Sequence, residues 1–168
     1  VVMAVLVKID KTAFTTRDLQ INQFMNEYDD VLAGLVDRRE PLKELVWEQL
    51  LGMEAQQLLS KEEIERDFVK YEAGFAHKIS KDKLWKGLQV SKAEISGLLF
   101  HRFAAKRLIQ LKIPLDLIEV SDQDVESYYL QNKTLLGNRP FLEMKPKILK
   151  GLREKKAQSR LKDWLAAV

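Results

Sequence analysis

The stretch PLKELVWEQLLGMEAQQLLSKEEI, residues 41–64, indicates the fold class of this chain. Pro41 is suited to the first turn of a helix, and apolar residues then recur at three- and four-residue spacing to about Leu59. Ser60 and Glu63 form a capping box that begins the next helix. Because one helix leads directly into another, this stretch predicts a mainly helical protein.

The helix that begins at Pro41 has two apolar faces. One face consists of Leu42, Leu45, Val46, Leu50 and Met53. The other face consists of Trp47, Leu51 and Leu58. A helix that is apolar on two sides either lies in the centre of the core or divides its surface between the core and a partner.

A minor two-stranded β element is predicted beside the helices. Seven Gly and four Pro are too few turn residues for a sandwich or a barrel. The segment Met3–Ile9 is β-branched and apolar, and Thr12–Phe14 can pair back with it across a turn. Leu115–Val120 is also short, apolar and extended, so we expect it to be a partner for the N-terminal strand. A helix follows Thr15 and carries a stripe of Ile21, Phe24, Met25, Tyr28, Leu32 and Leu35.

The composition argues against several kinds of chemistry. The chain has no Cys, which excludes disulfides, thiolate nucleophiles and sulfur-ligated zinc. It contains no Gly-rich nucleotide-binding motif and no nucleophile elbow. His77 and His101 have no partner at metal-ligand spacing, and the acids of Glu62–Asp67 suit the start of a helix. We therefore predict no catalytic residue, no cofactor and no metal site, and we do not expect an enzyme.

No membrane span is predicted from the sequence. A membrane-spanning helix needs roughly 20 apolar residues, and no run in the chain approaches this length. The opening segment Val1–Val7 has no basic residues before it and no cleavage-like site after it, so it is not a complete signal peptide. We interpret this segment as a strand.

Positive charge is concentrated near the C terminus. The net charge is +3, yet nine Lys or Arg residues lie between Arg139 and Lys162, where the neighbouring acids are Glu143, Glu154 and Asp163. A basic helix face of this kind could bind nucleic acid with salt-dependent affinity. Because acids interrupt the face and no helix-turn-helix layout accompanies it, nucleic acid is a less favoured alternative and is not the expected partner.

Three stretches carry a resemblance to a known family. VSDQDVESYY, residues 120–129, and NRPFLEMKPKI, residues 138–148, are similar to the segments VSDxEVxxYY and RPFEEVKPxI of SurA-type periplasmic chaperones and their PpiD and PrsA relatives. Residues 152–165 continue in the same manner. VKIDKTAFTTRDL, residues 7–19, is similar to the strand, turn and helix with which those proteins begin.

The resemblance implies a helical domain like the SurA N-terminal domain, with the C-terminal helix packed back on it. It also implies a periplasmic location and clients that are unfolded outer-membrane or secreted polypeptides. In that family a parvulin prolyl-isomerase domain usually lies between the two C-terminal segments, whereas only Leu130–Asn138 separates them here. We therefore expect one chaperone-core domain over residues 1–168 without an isomerase, with its N-terminal region ending at residue 120 and the returning helices beginning at residue 121.

An ATP-independent holdase needs apolar surface that stays accessible, and aromatic and Met side chains suit varied clients. The first candidate surface for polypeptide binding consists of Trp47, Leu51 and Leu58. The second consists of Phe24, Met25 and Tyr28. Ordinary core positions are the alternative for both groups, because small helical domains need such side chains inside.

Two further alternatives use the same features. An adaptor or structural protein would bind one dedicated partner through these apolar faces and form a single stoichiometric complex. A long terminal helix also permits a homodimer in which two copies exchange their C-terminal helices.

Overall fold

The computed structural model describes residues 4–29 and 39–167. The chain divides into two compact units, residues 1–108 and residues 109–168, and each unit is described by itself. The predicted stripe positions Leu32 and Leu35 lie outside the described residues. The predicted return of the C-terminal helix onto the N-terminal helices stays a prediction.

The described residues are mainly helical and include a small two-stranded antiparallel sheet, which confirms the predicted fold class. Their elements are strands β1 (Val5–Ile9) and β2 (Thr12–Thr15), helices α1 (Thr16–Asn26), α2 (Pro41–Leu58), α3 (Lys61–Ile79), α4 (Lys83–Leu88) and α5 (Lys92–Lys112), a 3₁₀ turn (Leu115–Leu117), and helices α6 (Asp122–Asn132) and α7 (Phe141–Ala167).

The two strands form a hairpin in which Ile9 is opposite Thr12, so the predicted pairing of Thr12–Phe14 is confirmed. The predicted strand at Leu115–Val120 is wrong. Pro114 instead opens the 3₁₀ turn, and the backbone N–H of Leu117 donates to the Pro114 carbonyl oxygen at 3.1 Å. Because local hydrogen bonds satisfy this backbone, it has less need of a strand partner.

Unit 1 has its core between the hairpin and helices α1, α2, α3 and α5. Helix α1 begins with a capping box in which Thr15 and Asp18 each accept a hydrogen bond from the other's backbone N–H. The buried cluster consists of Phe14, Ile21, Met25, Leu45, Phe75, Ile79, Ile95, Leu98 and Leu99.

Unit 2 contains helices α6 and α7, and its smaller core cluster consists of Val125, Met144 and Ile148. Ser121 and Asp124 form the capping box of α6. Pro146 lies inside α7, where it has no N–H to donate to the carbonyl oxygen of Leu142 one turn earlier.

Candidate polypeptide-binding surface

Helix α2 buries a face that is small and polar. Glu44, Glu48 and Gln49 are at most 4% exposed. A Cβ placed on Gly52 would lie only 2.8 Å from the backbone carbonyl oxygen of His101, so the backbones of α2 and α5 come very close at this point. The inward side of α2 therefore combines polar contacts and a close approach of backbones with the buried Leu45 and Leu51.

The fully buried Arg102 of α5 explains why acids of α2 point inward. Its guanidinium lies 3.0 Å from the carboxylate of Glu48 and donates to the side-chain oxygens of Asn22 (3.1 Å) and Asn26 (2.6 Å). Asn26 in turn donates to Glu44 at 2.9 Å. A buried charge is strongly destabilising unless it is paired and hydrogen-bonded, so these partners hold α1, α2 and α5 in one arrangement.

Asp29 extends this network towards α3. The Tyr71 hydroxyl donates to its carboxylate at 2.6 Å, and the Lys106 ammonium lies 3.0 Å from it. Burial by itself would raise the pKa of Asp29, but the hydrogen bonds from Tyr71 and Lys106 outweigh burial and lower it. Burial and the hydrogen bond to Asp29 both raise the pKa of Tyr71.

The outward side of α2 carries apolar side chains beside the exposed Lys43, Glu54 and Gln57. Leu50 is 43% exposed, Leu58 is 51% exposed, and Trp47 is half-buried. Helical spacing puts these three residues on the side opposite Leu45, and we call them the outer stripe of α2. Leu51 shares the face of Trp47 and Leu58 by helical spacing, yet it is only 3% exposed. Leu51 therefore offers no accessible surface and occupies the core position that was the alternative for this group.

The second candidate group lies against other side chains. Met25 is fully buried, so it offers no accessible surface and occupies the core position that was the alternative for this group. The Phe24 ring is 5.2 Å from Trp85 and 5.5 Å from Tyr28, measured between ring centroids. The Tyr28 hydroxyl donates to Asp82, and this hydrogen bond raises the pKa of Tyr28. Phe24 and Tyr28 are thus half-buried parts of the junction between α1 and α4.

A groove runs between the hairpin, α2 and α5. It has a volume of about 200 Å³ and continues into a second depression of about 360 Å³, with Ile9, Thr12, Met53 and His101 lining both. Gln49 lines the narrower part. Among the described residues, its buried amide nitrogen has no hydrogen-bond partner. We call this feature the hairpin groove; it combines apolar walls with an unpaired donor.

One end of the hairpin groove is held by an ion pair between Arg17 and Glu94, whose closest atoms are 2.5 Å apart. The hydrogen bond from Arg17, together with a backbone hydrogen bond from Ser91, lowers the pKa of Glu94 to about 2. The carboxylate therefore remains charged at all physiological pH values and fixes the start of α5 against α1.

Sequence reasoning missed the buried network and the hairpin groove. The only sequence signal for the network is a cation, Arg102, among the apolar residues of α5. The groove depends on residues far apart in the chain, such as Thr12, Gln49 and Gly97, which no local pattern connects.

No protein-family model matches this chain, and no curated protein or solved structure matches it. None of the described helices is long and apolar enough to cross a membrane. Within residues 4–29 and 39–167, no three His, Asp or Glu side chains come together as metal ligands would. The chemistry of the surface itself has to indicate the function.

Proposed function

We propose that this protein is an ATP-independent holdase that binds unfolded polypeptides without isomerase activity. The observation that carries the proposal is the orientation of α2, which turns Glu44, Glu48 and Gln49 inward and Leu50 and Leu58 outward. The helix also buries Leu45 and Leu51 and exposes Lys43 and Glu54, so polar and apolar residues occur on both of its sides. An ordinary surface helix keeps the two kinds of residue on opposite sides. Each fully exposed Leu forgoes about 1.5–3 kcal/mol of burial, so apolar side chains grouped outside commonly serve a binding surface.

Extended polypeptides fit the chemistry of this part of the molecule. Apolar client side chains would pack on the outer stripe of α2, which includes the broad indole of Trp47. The resemblance to SurA-type chaperones supports unfolded outer-membrane or secreted polypeptides in the periplasm as the clients.

The first test is the aggregation of a denatured outer-membrane protein that is diluted into buffer containing an excess of this protein. We expect the wild type to suppress light scattering and the double variant Leu50→Ser, Leu58→Ser to lose most of this suppression. The matched control is Val69→Ser, Leu84→Ser, which removes two side chains that are more exposed (66% and 76%) from α3 and α4. Equal suppression by the two double variants would contradict a specific role of the outer stripe.

The hairpin groove has its own matched pair of variants. Gly97 lines the groove and Gly74 lies on the exposed side of α3, and a Cβ at either position would meet nothing within 4 Å. We expect Gly97→Phe to weaken client binding and Gly74→Phe to leave it unchanged. A prolyl-isomerisation assay on the same samples completes the test, since measurable activity would contradict the isomerase-free proposal.

A further inference from the structure

Unit 2 has an open groove of its own along helix α7. Two depressions of about 520 Å³ and 240 Å³ share the lining residues Tyr128, Leu152 and Lys155, so they form one continuous feature that we call the α7 groove. Neither the holdase proposal nor the residues that support it involve this groove.

The floor of the α7 groove is apolar. Met144 and Ile148 are buried at its base, Leu136 and Leu152 are half-buried, and the Tyr128 side chain is 38% exposed. Because Leu136, Leu152 and Tyr128 are only partly covered, apolar area remains accessible beside the core cluster of this unit. A packed third helix is the usual way in which a pair of helices covers such a face.

The edge of the groove on α7 carries unpaired positive charge. Lys147, Gly151 and Lys155 follow one another at four-residue spacing and therefore share one side of the helix. Both lysines are exposed, and neither forms an ion pair with any residue in the described part of the chain.

The acidic residue that lines the groove does not neutralise these lysines. Asp124 lies 3.7 Å from the ammonium of Lys156. It also accepts from the backbone N–H of Ser121 as part of the α6 cap. The Ser121 hydrogen bonds lower the pKa of Asp124, and its charge is already used within the unit.

Gly151 makes room between the two lysines. A Cβ at this position would meet nothing within 4 Å, so the groove edge has a gap where another backbone can approach closely. Small residues at such points allow two helices to pack at short distance.

We propose that the α7 groove binds an amphipathic helix of a partner protein whose apolar stripe is flanked by Glu or Asp. Acids eight residues apart on such a helix match the spacing of Lys147 and Lys155, and its apolar stripe matches the floor. A second copy of this chain fits less well, because two α7 grooves would bring the same unpaired lysines together.

The test uses a synthetic peptide of about 18 residues, with Leu at i, i+3, i+4 and i+7 and Glu at the flanking positions. A second peptide carries Lys in place of Glu. Binding of each labelled peptide to the full chain is measured by fluorescence anisotropy at low and high salt. We expect the Glu peptide to bind about tenfold more tightly than the Lys peptide, with a difference that shrinks as salt rises.

Two variants locate the binding. Gly151→Phe fills the groove and Lys147→Glu, Lys155→Glu reverses its edge, and each is expected to weaken binding of the Glu peptide about tenfold. The matched controls are Gly74→Phe and Lys150→Glu, which lie outside the groove, and circular dichroism checks that every variant is folded. Equal binding of the two peptides, or no effect of either groove variant, would overturn the proposal.

Two other outcomes would also overturn it. If Gly151→Phe converts a wild-type dimer into a monomer in light scattering, the groove is an interface between copies of this chain. If phosphatidylglycerol vesicles bind the wild type through the same lysines while the Glu peptide does not, the surface recognises lipid.

Discussion

Arg102 is the residue on which the arrangement of α1, α2 and α5 most depends. Its fully buried guanidinium satisfies Glu48, Asn22 and Asn26 together, while its own Nε atom has no partner among the described residues. The network is therefore well paired at one end of the guanidinium and incomplete at the other. Such networks fix a helix orientation more than they add to stability.

Removing Arg102 should be strongly destabilising. We expect Arg102→Met to lower the free energy of unfolding by about 3–5 kcal/mol, because the buried carboxylate of Glu48 would lose the guanidinium 3.0 Å from it. The double variant Arg102→Met, Glu48→Leu should recover part of this loss, since both members of the buried ion pair are then replaced by apolar side chains. Urea unfolding followed by circular dichroism measures both values, and a double variant no better than the single one would contradict this explanation.

The lowered pKa of Glu94 predicts how the stability of the protein changes at acidic pH. Its folded-state pKa of about 2 lies below the value of about 4.3 for an unfolded chain. A lowered carboxyl pKa contributes stability that is present above the unfolded value and is lost as the pH falls from about 4 to about 2. Glu94→Gln should therefore lose less thermal stability across this range than the wild type. Glu126→Gln, at an exposed position of α6, is the control and should retain the wild-type pH dependence.

In the packing of helices, substitution by Ala should lower the free energy of unfolding at Gly52 and raise it at Gly74. Gly52→Ala places a methyl group 2.8 Å from the His101 carbonyl oxygen, and such overpacking costs about 1–3 kcal/mol. Gly74→Ala has open space around its Cβ, so the better helix propensity should add up to about 1 kcal/mol. Chemical denaturation of both variants measures the change in the free energy of unfolding. Changes of the same sign would contradict the close approach of α2 and α5.

Local signals in the sequence were sufficient to predict several helix boundaries. Pro41 begins α2, and the capping residues Thr15, Ser60 and Ser121 begin α1, α3 and α6 as expected, because each signal acts within one turn. The helical class and the N-terminal hairpin followed from the same kind of information.

The orientation of α2 about its axis could not be predicted in this way. Apolar periodicity placed Leu51 on a candidate binding face with Trp47 and Leu58, but the folded chain buries Leu51 and draws Glu48 inward to Arg102, 54 residues away along the chain. The same limitation applies to Leu115–Val120, where apolar composition predicted a strand and the hydrogen bonds after Pro114 produce a turn. A contact between distant residues decided the first case, and local hydrogen bonds after Pro114 decided the second.

At the scale of the whole molecule, the two units have cores of different size. Among the described residues, most of the buried apolar side chains belong to unit 1, whereas the α6–α7 cluster of unit 2 consists of Val125, Met144 and Ile148. Because stability depends on buried apolar area, unit 2 should unfold at a lower urea concentration. Trp164 alone reports on unit 2 in a Trp47→Phe, Trp85→Phe variant, and Trp85 alone reports on unit 1 in a Trp47→Phe, Trp164→Phe variant. Coincident fluorescence transitions would contradict independent unfolding.

Pro146 has a consequence for the exchange of amide hydrogens with solvent. Since the Leu142 carbonyl receives no intrahelical donor, the turn of α7 before the proline is joined to the rest of the helix by one hydrogen bond fewer. Leu142 is 82% exposed, so water can satisfy that oxygen. The amides of residues 141–145 can then open and exchange deuterium without the longer segment after Pro146 unfolding, and protection should rise sharply from Lys147 onward.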